Sequence, residues 1–249
     1  MVERRLFELF RRAAVSPEET VKCLLAHELS ERNEPTQYVK THFSDLVNLL
    51  HDRAYAKYLE QQREAGQHAL QSYLKATLPT NLSRGDMIIR VSNLFDELDS
   101  FYLSLGQSRR TRAGRVFEAI IREMFRRLAY PFDEQQVING KPDFVLPSAG
   151  HYATNPMDCV VFTAKRTLRE RWRQIITEGI SSKYFLATRD NQLSPSALGS
   201  MRSNHIYVVV PADLKQEHYA REVNVISFEE FFIHHLDPAM TRWRSYGVV

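Results

Sequence analysis

Three residues in the second half of the chain, Asp143, Lys165 and Glu178, are of the types that hydrolysis of a phosphodiester requires. That reaction uses carboxylate oxygens to hold Mg²⁺, a group that orients or deprotonates water, and positive charge near the developing phosphorane. Each residue alone has a commoner structural explanation, because Pro-Asp forms turns, a lysine at a strand end is usually solvated, and a helical glutamate usually pairs with surface arginines. Their spacing over two successive strands and the following helix favours one shared metal site.

The elements predicted around these residues bring the first two together. Asp143 precedes the apolar run 144–146, and Lys165 follows the apolar run 159–163. Two prolines and a glycine lie between the runs and predict that the chain reverses there, so that the two strands become neighbours. We therefore expect Asp143 and Lys165 at one edge of a sheet. Glu178 falls in the helical pattern that follows and can lean over the same edge.

The chain as a whole divides into a helical first third and an α/β remainder. Helical periodicity covers residues 3–78, where Ser16 and Pro17 form an N-cap and a first-turn proline. A further helix is predicted over 86–105, ending at Gly106, and an amphipathic helix follows it. Short β-branched runs then alternate with helical patterns, which is typical of an α/β core. The runs span residues 144–146, 159–163, 184–187, 205–210 and 223–226.

These patterns predict two parts: a helical arm or subdomain at 1–80, for dimerisation or DNA contact, and a core at 81–249. The hydrophobic fraction of 43% and charged fraction of 25% are those of an ordinary globular protein. Neither a membrane-spanning segment nor an N-terminal secretory signal is recognisable, so we expect a soluble, cytoplasmic protein. The net charge of +3 identifies no partner, although arginine, which suits phosphate and guanine, predominates among the 33 basic residues.

Residues from about 107 to 180 resemble the PD-(D/E)xK nuclease superfamily, and within it the type II restriction endonucleases of the EcoRII, SsoII and PspGI group. In that group Ser or Thr replaces the usual acid two residues before the lysine, and the second metal-binding carboxylate moves to the following helix. Thr163-Ala164-Lys165 and Glu178 fit this variant. The resemblance implies a PD-(D/E)xK nuclease core, in which helices flank a mixed central sheet, together with a helical N-terminal region.

The resemblance also implies roles for individual residues. Asp143 and Glu178 would hold Mg²⁺ together with the Ala164 carbonyl, while Lys165 would position the attacking water. Glu118, in a helix that looks like the group's Arg-Ala-Gly helix, would be an accessory acid.

Base recognition is predicted for Arg169-Glu170-Arg171, in the helix that carries Glu178. Arginine can donate two hydrogen bonds to guanine O6 and N7, and glutamate can accept one from cytosine N4, so the segment suits two adjacent G·C pairs. An isolated segment of this kind is more often a solvated helical face. Its position directly after Lys165, and its likeness to the group's recognition segment, favour base readout.

Contacts to the DNA backbone are predicted for Arg109, Arg110, Arg112 and Arg115, which lie beside small residues that let a helix approach phosphates. Gln107 resembles the group's position that reaches the minor groove, where only a degenerate code is available.

Together these features predict a Mg²⁺-dependent type II site-specific deoxyribonuclease. We expect a homodimer that cuts double-stranded DNA at a palindrome with CC and GG half-sites, such as CCNGG, CCWGG or CCGG. The resemblance further implies a prokaryotic host with a cognate DNA methyltransferase, and flipping of the central nucleotides, for which Arg53 and Tyr55 are candidates. Two alternatives remain open: a structure-specific repair or junction-resolving nuclease on the same core, and a non-catalytic DNA-binding regulator.

Overall fold

The computed structural model describes Leu6, Phe10 and residues 16–137, 141–168, 172–173 and 183–249. Helices are α1 (Pro17–Leu29), α2 (Pro35–Thr41), α3 (Phe43–Thr77), α4 (Arg84–Ser92), α5 (Phe95–Arg127), α6 (Ala149–Thr154), α7 (Pro195–Ser203), α8 (Ala212–His218), α9 (Phe228–Phe231) and α10 (Asp237–Ser245). Strands are β1 (Asp133–Glu134), β2 (Phe144–Leu146), β3 (Val160–Ala164), β4 (Lys183–Ala187), β5 (Ile206–Val210) and β6 (Val225–Ser227). A 3₁₀ turn (Pro156–Asp158) precedes β3, and a π-helical turn (Phe232–Leu236) joins α9 to α10.

The six strands form one sheet in sequence order, from β1 to β6. Neighbours β1, β2 and β3 pair antiparallel, whereas β3, β4, β5 and β6 pair parallel. Strands β2 and β3 are buried along their whole length, as expected for a sheet with helices on both faces. The predicted mixed central sheet flanked by helices is confirmed.

One face of the sheet is covered by the second half of α5, the first half of α3 and the helical segment after β6. Phe125 at its centre is fully buried and contacts six aromatic rings. These rings come from five parts of the chain: Phe43, Tyr130, Phe132, Phe144, Phe162 and Phe232. Edge-to-face contacts predominate, which is the arrangement that aromatic quadrupoles favour.

The opposite face carries a second core in which Val145, Val161 and Leu186 pack under α7 and the loops around it. Side chains alternate between the two cores along each strand because successive residues of a strand point to opposite faces. Phe144 and Phe162 thus enter the first core, while Val145 and Val161 enter the second.

A third cluster lies where the distal half of α3 meets the first half of α5. It contains Ala69 and Tyr73 of α3 and Phe101 and Leu105 of α5, together with residues from the start of the chain. Residues 21–54, by contrast, share the first core with the sheet. The division into an arm at 1–80 and a core at 81–249 stays a prediction.

The sequence predicted that a helix ends at Gly106, and this prediction is wrong. Helix α5 runs unbroken from Phe95 to Arg127. The chain bends earlier instead, at Asn93 and Leu94 between α4 and α5. A glycine inside a helix costs roughly 1 kcal/mol relative to alanine. The buried residues Leu105 and Ala113 on either side pack against neighbouring elements and offset that cost. At the start of α1 the predicted cap is confirmed, since Ser16 Oγ accepts a hydrogen bond from the Glu19 N–H at 3.0 Å.

Among the described residues, no helix combines the length and the apolar character needed to cross a bilayer.

The central position of Phe125 predicts that Phe125→Ala lowers the free energy of unfolding by roughly 3 to 5 kcal/mol, because it leaves a cavity that fully buried neighbours cannot fill. Urea unfolding followed by circular dichroism measures the loss. Tyr246→Ala is the control, since that ring is 74% exposed and its removal should change stability by about 0.5 kcal/mol or less. Equal losses for the two variants would contradict this account of the core.

Candidate active site

Asp143 is the residue directly before β2, and its side chain is almost completely buried. Its Oδ2 accepts a hydrogen bond from the Ala164 backbone N–H at 2.8 Å. The Lys165 ammonium donates to Oδ2 at 2.8 Å and to Oδ1 at 3.0 Å. A buried carboxylate without such partners would cost several kcal/mol. These donors are therefore what allows a charged group at this position.

Strand pairing brings these two side chains together. Phe144 of β2 pairs antiparallel with Phe162 of β3, so the chain just before β2 lies beside the end of β3. The Lys165 backbone N–H donates to the Ala187 carbonyl at 2.9 Å, which extends the ladder between β3 and β4 by one residue. Asp143 and Lys165 thus meet at one sheet edge, as the sequence predicted.

Thr163 occupies the position two residues before the lysine, and its side chain points into the core. Its hydroxyl lies 2.7 Å from the Tyr184 hydroxyl, and the residue is 3% exposed. It offers neither a carboxylate nor a group facing solvent. Any second acidic ligand must therefore come from another element.

Glu118 of α5 is an acid that the described structure brings to this place. It lines the same cleft as Ala164 and Lys165, and Arg122 donates to it at 2.7 Å. Burial, and next the negative charge of Asp143, raise the pKa of Glu118, while Arg122 and Lys165 act in the opposite direction. A carboxylate with a raised pKa beside a lysine accepts a proton more readily than an exposed one.

The cleft has a volume of about 500 Å³ and opens between α5 and the segment that follows β3. Its lining is rich in cationic and small polar groups: Arg110, Thr111, Gly114, Arg115, Glu118, Ala164, Lys165, Arg166, Thr167 and Leu168. Arg166, which directly follows Lys165, also lines the cleft but was not among the predicted site residues. Adjacency to Lys165 was the one signal that could have found it.

The four arginines of α5 that the sequence predicted to contact the DNA backbone fall into two pairs. Arg110 and Arg115 are exposed and line the cleft. Arg109 donates from Nε to Gln62 of α3, and Arg112 is half-buried with its guanidinium 4.6 Å from the centre of the Tyr58 ring. The second pair therefore joins α5 to α3. Gln107 is exposed on the same helix.

A second cleft, of about 820 Å³, lies between α3 and the loop after β4. Tyr55 lines it, together with His51, Arg166 and Arg189. Arg53 is absent from its lining and pairs with Glu28 at 2.9 Å instead. Arg53 and Tyr55 thus contact different surroundings in this structure, and their shared part in a flipped-base pocket stays a prediction.

His51 in this second cleft is buried, and its pKa is lowered to about 4, chiefly by burial and then by the charge of Arg189. The ring is therefore neutral at neutral pH. Asp52 beside it accepts a hydrogen bond from Arg189 at 3.0 Å. Within the described part of the chain, the His51 Nε2 atom has no hydrogen-bond partner. No local pattern in the sequence points to this cluster, because Asp52 and Arg189 are distant along the chain.

Several predicted site residues lie outside the described residues: Arg169, Glu170, Arg171 and Glu178. Of the same segment, Trp172 packs in the second core, and the Arg173 guanidinium lies 5.2 Å from the centre of its ring. Within the described ranges, no three His, Cys, Asp or Glu side chains converge on one point.

Two curated type II restriction enzymes are similar to this chain in sequence. Among curated proteins, the type II restriction enzyme SsoII of Shigella sonnei is 33% identical over 161 residues, which are 59% of this chain and 51% of that protein. The type II restriction enzyme EcoRII of Escherichia coli is 29% identical over 140 residues, which are 53% of this chain and 35% of that protein. The chain thus spans about half of SsoII and about a third of EcoRII.

Solved structures share the fold. Metal-depleted Ecl18kI in complex with uncleaved, modified DNA superposes with a TM-score of 0.82 at 24% identity, over 98% of this chain and 84% of that one. The complex of the restriction endonuclease PspGI with substrate DNA gives a TM-score of 0.62 at 19% identity, over 91% and 92% of the two chains. The fold is therefore that of the PD-(D/E)xK restriction endonucleases.

The family model described as EcoRII C terminal matches residues 72–232, a range that contains β1 to β6, Asp143, Lys165 and Glu118. Because this match covers more than half of its length, the chain belongs to the EcoRII C-terminal family.

Proposed function

We propose that this protein is a type II restriction endonuclease that hydrolyses both strands of double-stranded DNA at a fixed palindromic sequence. Lys165, held by its ion pair with Asp143, lines one cleft together with Glu118 and exposed arginines, and this arrangement carries the proposal. Membership of the EcoRII C-terminal family supports it, since the curated relatives SsoII and EcoRII are type II restriction enzymes.

The donors at the cleft fit a divalent metal ion, and we assign Mg²⁺. Asp143 presents a carboxylate already held in place, and carboxylate and carbonyl oxygens are the ligands that Mg²⁺ prefers. Asp143, Glu178 and the Ala164 carbonyl would hold it. When bound, the metal supplies Lewis-acid polarisation of the phosphate and lowers the pKa of a coordinated water.

Lys165 and Glu118 supply the other functions that the hydrolysis requires. Lys165 positions the attacking water and neutralises negative charge on the phosphate, while its ion pair with Asp143 fixes the ammonium at the cleft. Glu118 is the accessory acid, and its raised pKa suits it to accept a proton from a water molecule in the cleft.

Contacts with DNA divide between backbone and bases. Arg110 and Arg115, exposed at the cleft, contact phosphates, whereas Arg109 and Arg112 already contact α3. Arg169-Glu170-Arg171 reads the CC and GG half-sites in the major groove, and Gln107 reaches the minor groove.

The central nucleotides flip out of the duplex in this proposal. Their extrusion keeps the two half-sites at the separation of a continuous CCGG site, even where an extra central base pair is present, as in CCNGG or CCWGG. Tyr55 provides the flat surface for an extruded base in the second cleft. Arg53, two residues earlier on α3, pairs with Glu28 in this structure. A homodimer acts on the palindrome, and a DNA methyltransferase in the same prokaryotic cytoplasm protects the host's own sites.

The first test measures DNA cleavage by variants of the proposed catalytic residues. Asp143→Ala, Lys165→Ala and Glu178→Ala should each slow cleavage on the order of 100-fold or more, because each removes a metal ligand or the charge beside it. Initial rates on a plasmid with mapped cut sites, with Mg²⁺ and with EDTA, measure this. Lys22→Ala is the matched control, since Lys22 is exposed on α1.

Cuts at one fixed sequence in linear duplex DNA distinguish a restriction enzyme from a junction-resolving nuclease. Wild-type rates for Lys165→Ala would contradict the proposed site. Sequence-specific binding by wild type without any cleavage in Mg²⁺ would favour a DNA-binding regulator instead.

The second test separates base contacts from phosphate contacts. Arg169→Ala, Glu170→Ala and Arg171→Ala should each lose about 1 to 3 kcal/mol of binding to the cognate site for each lost base contact. Arg110→Ala and Arg115→Ala should weaken binding to every sequence and reduce its salt dependence. Gel-shift titrations in Ca²⁺ on cognate and random duplexes measure both effects. Equal losses on the two duplexes for Arg169→Ala would assign that side chain to phosphates.

The third test concerns flipping. A 2-aminopurine at the central position of the site should become more fluorescent when saturating protein binds in Ca²⁺, because extrusion removes its stacking. Tyr55→Ala should change that signal, and Tyr246→Ala should not. A signal at the level of free duplex, on a mapped site with no central base, would rule flipping out.

A further inference from the structure

The chain that follows β3 is held by the chain that follows β4. The Lys165 N–H donates to the Ala187 carbonyl at 2.9 Å. One residue further, the Arg166 carbonyl accepts hydrogen bonds from the Thr188 hydroxyl at 3.1 Å and from the Arg189 N–H at 3.3 Å. Pairing between the two segments therefore continues beyond the ends of both strands.

Asp190 makes the next contact along these two segments. Its Oδ2 accepts a hydrogen bond from the Leu168 N–H at 2.9 Å, and its Oδ1 accepts one from the Gln192 N–H at 3.1 Å. Because Leu168 and Asp190 are 22 positions apart, the first of these bonds joins separate parts of the chain. A carboxylate has two acceptor oxygens, whereas an amide has one, so asparagine at this position cannot reproduce both bonds in this geometry.

The backbone of Asp190 is itself fixed by buried groups. Its N–H donates to the Thr188 hydroxyl at 3.1 Å, and its carbonyl accepts a hydrogen bond from the Tyr219 hydroxyl at 2.7 Å. Thr188 is fully buried, and its N–H donates to the Val209 carbonyl of β5 at 2.9 Å. Tyr219 packs in the second core. The Asp190 carboxylate is thus presented to Leu168 from a rigid support.

Leu168 lies between Lys165 and the segment that we propose reads bases. Its side chain is fully buried in the second core, and Arg169 follows it directly in the sequence. One buried side chain and one hydrogen bond to a carboxylate therefore hold the backbone at this junction. A hydrogen bond of this charge-assisted kind is stronger than one between neutral groups.

We infer that Asp190 is a positioning residue that couples base readout to cleavage. The inference rests on the proposed function, because it uses the roles proposed there for Lys165 and for Arg169-Glu170-Arg171. By holding Leu168, Asp190 fixes the start of the readout segment relative to the Lys165 ammonium. Correct base contacts then align Lys165 with the phosphate to be cut, and a wrong base pair spoils that alignment.

Cleavage of cognate and altered sites by Asp190→Asn is the primary test. The ratio of kcat/KM on the cognate site to kcat/KM on a site with one substituted G·C pair should fall by about 10-fold relative to wild type. The ratio falls because cleavage of the cognate site slows, while cleavage of the altered site changes little. Binding to random duplex in Ca²⁺ should stay at the wild-type level, since Arg110 and Arg115 are unchanged.

Asp133→Asn is the matched control. Asp133 also holds a distant backbone N–H through its carboxylate, since its Oδ2 accepts a hydrogen bond from the Ala149 N–H at 2.7 Å. It pairs with Val145 in β2, at the far end of that strand from Asp143. Both variants should lose thermal stability, as measured by circular dichroism, and only Asp190→Asn should lose selectivity.

Thr188 provides a second pair of variants. Thr188→Val removes the hydroxyl that joins the Arg166 carbonyl to the Asp190 N–H, so it should reduce selectivity as Asp190→Asn does. Thr188→Ser keeps that hydroxyl and should keep the selectivity of wild type.

Hydrogen exchange on the protein without DNA measures the contact itself. The Leu168 amide should exchange about 10-fold faster in Asp190→Asn than in wild type, because it loses its acceptor, and Asp133→Asn should leave it unchanged. Unchanged exchange, equal slowing of cleavage on cognate and altered sites, or an equal loss of selectivity in Asp133→Asn would each overturn the inference. A wild type without sequence preference would instead overturn the proposed function, and this role with it.

Discussion

The ion pair between Asp143 and Lys165 is the constraint around which the rest of the site is arranged. Asp143 is 7% exposed, so its charge needs donors supplied by the fold itself. Only the antiparallel pairing of β2 with β3 brings the Ala164 N–H and the Lys165 ammonium to the same carboxylate. The parallel pairing of β3 with β4 then holds the backbone of Lys165 through Ala187. A change in the register of either pair would leave a buried charge without partners, and the geometry of the site therefore depends on the sheet.

Helix α5 connects this site to the other parts of the molecule. Phe125 near its end lies at the centre of the first core, Glu118 lies in the cleft, and Phe101 near its start packs in the third cluster. Contacts of Arg109 with Gln62 and of Arg112 with Tyr58 fasten α5 to α3 between these regions. One continuous helix thus links the first core, the cleft and the third cluster.

Both clefts are lined by charged side chains, and Arg166 lines both. The cleft at Lys165 combines Glu118 with exposed arginines, as suits the phosphate that we propose it binds. The second cleft contains Tyr55 and His51, and His51 is neutral at neutral pH because burial and Arg189 lower its pKa. A neutral ring and a tyrosine can contact an uncharged base through hydrogen bonds and stacking. Tyr55 and His51 therefore support the proposal that a flipped base enters the second cleft.

The sequence by itself determined the features that depend on local pattern. Strand alternation and the loop between the runs were enough to place Asp143 beside Lys165, and the cap at Ser16 followed from side-chain chemistry alone. Tertiary structure decided what depends on contacts distant along the chain. It showed that α5 continues through Gly106, and that Arg110 and Arg115 face the cleft while Arg109 and Arg112 contact α3. It also gave Arg53 and Tyr55 different surroundings and brought Glu118 to Lys165. These outcomes depend on how helices pack against one another, and helical periodicity gives the apolar face of each helix but not the neighbour that covers it.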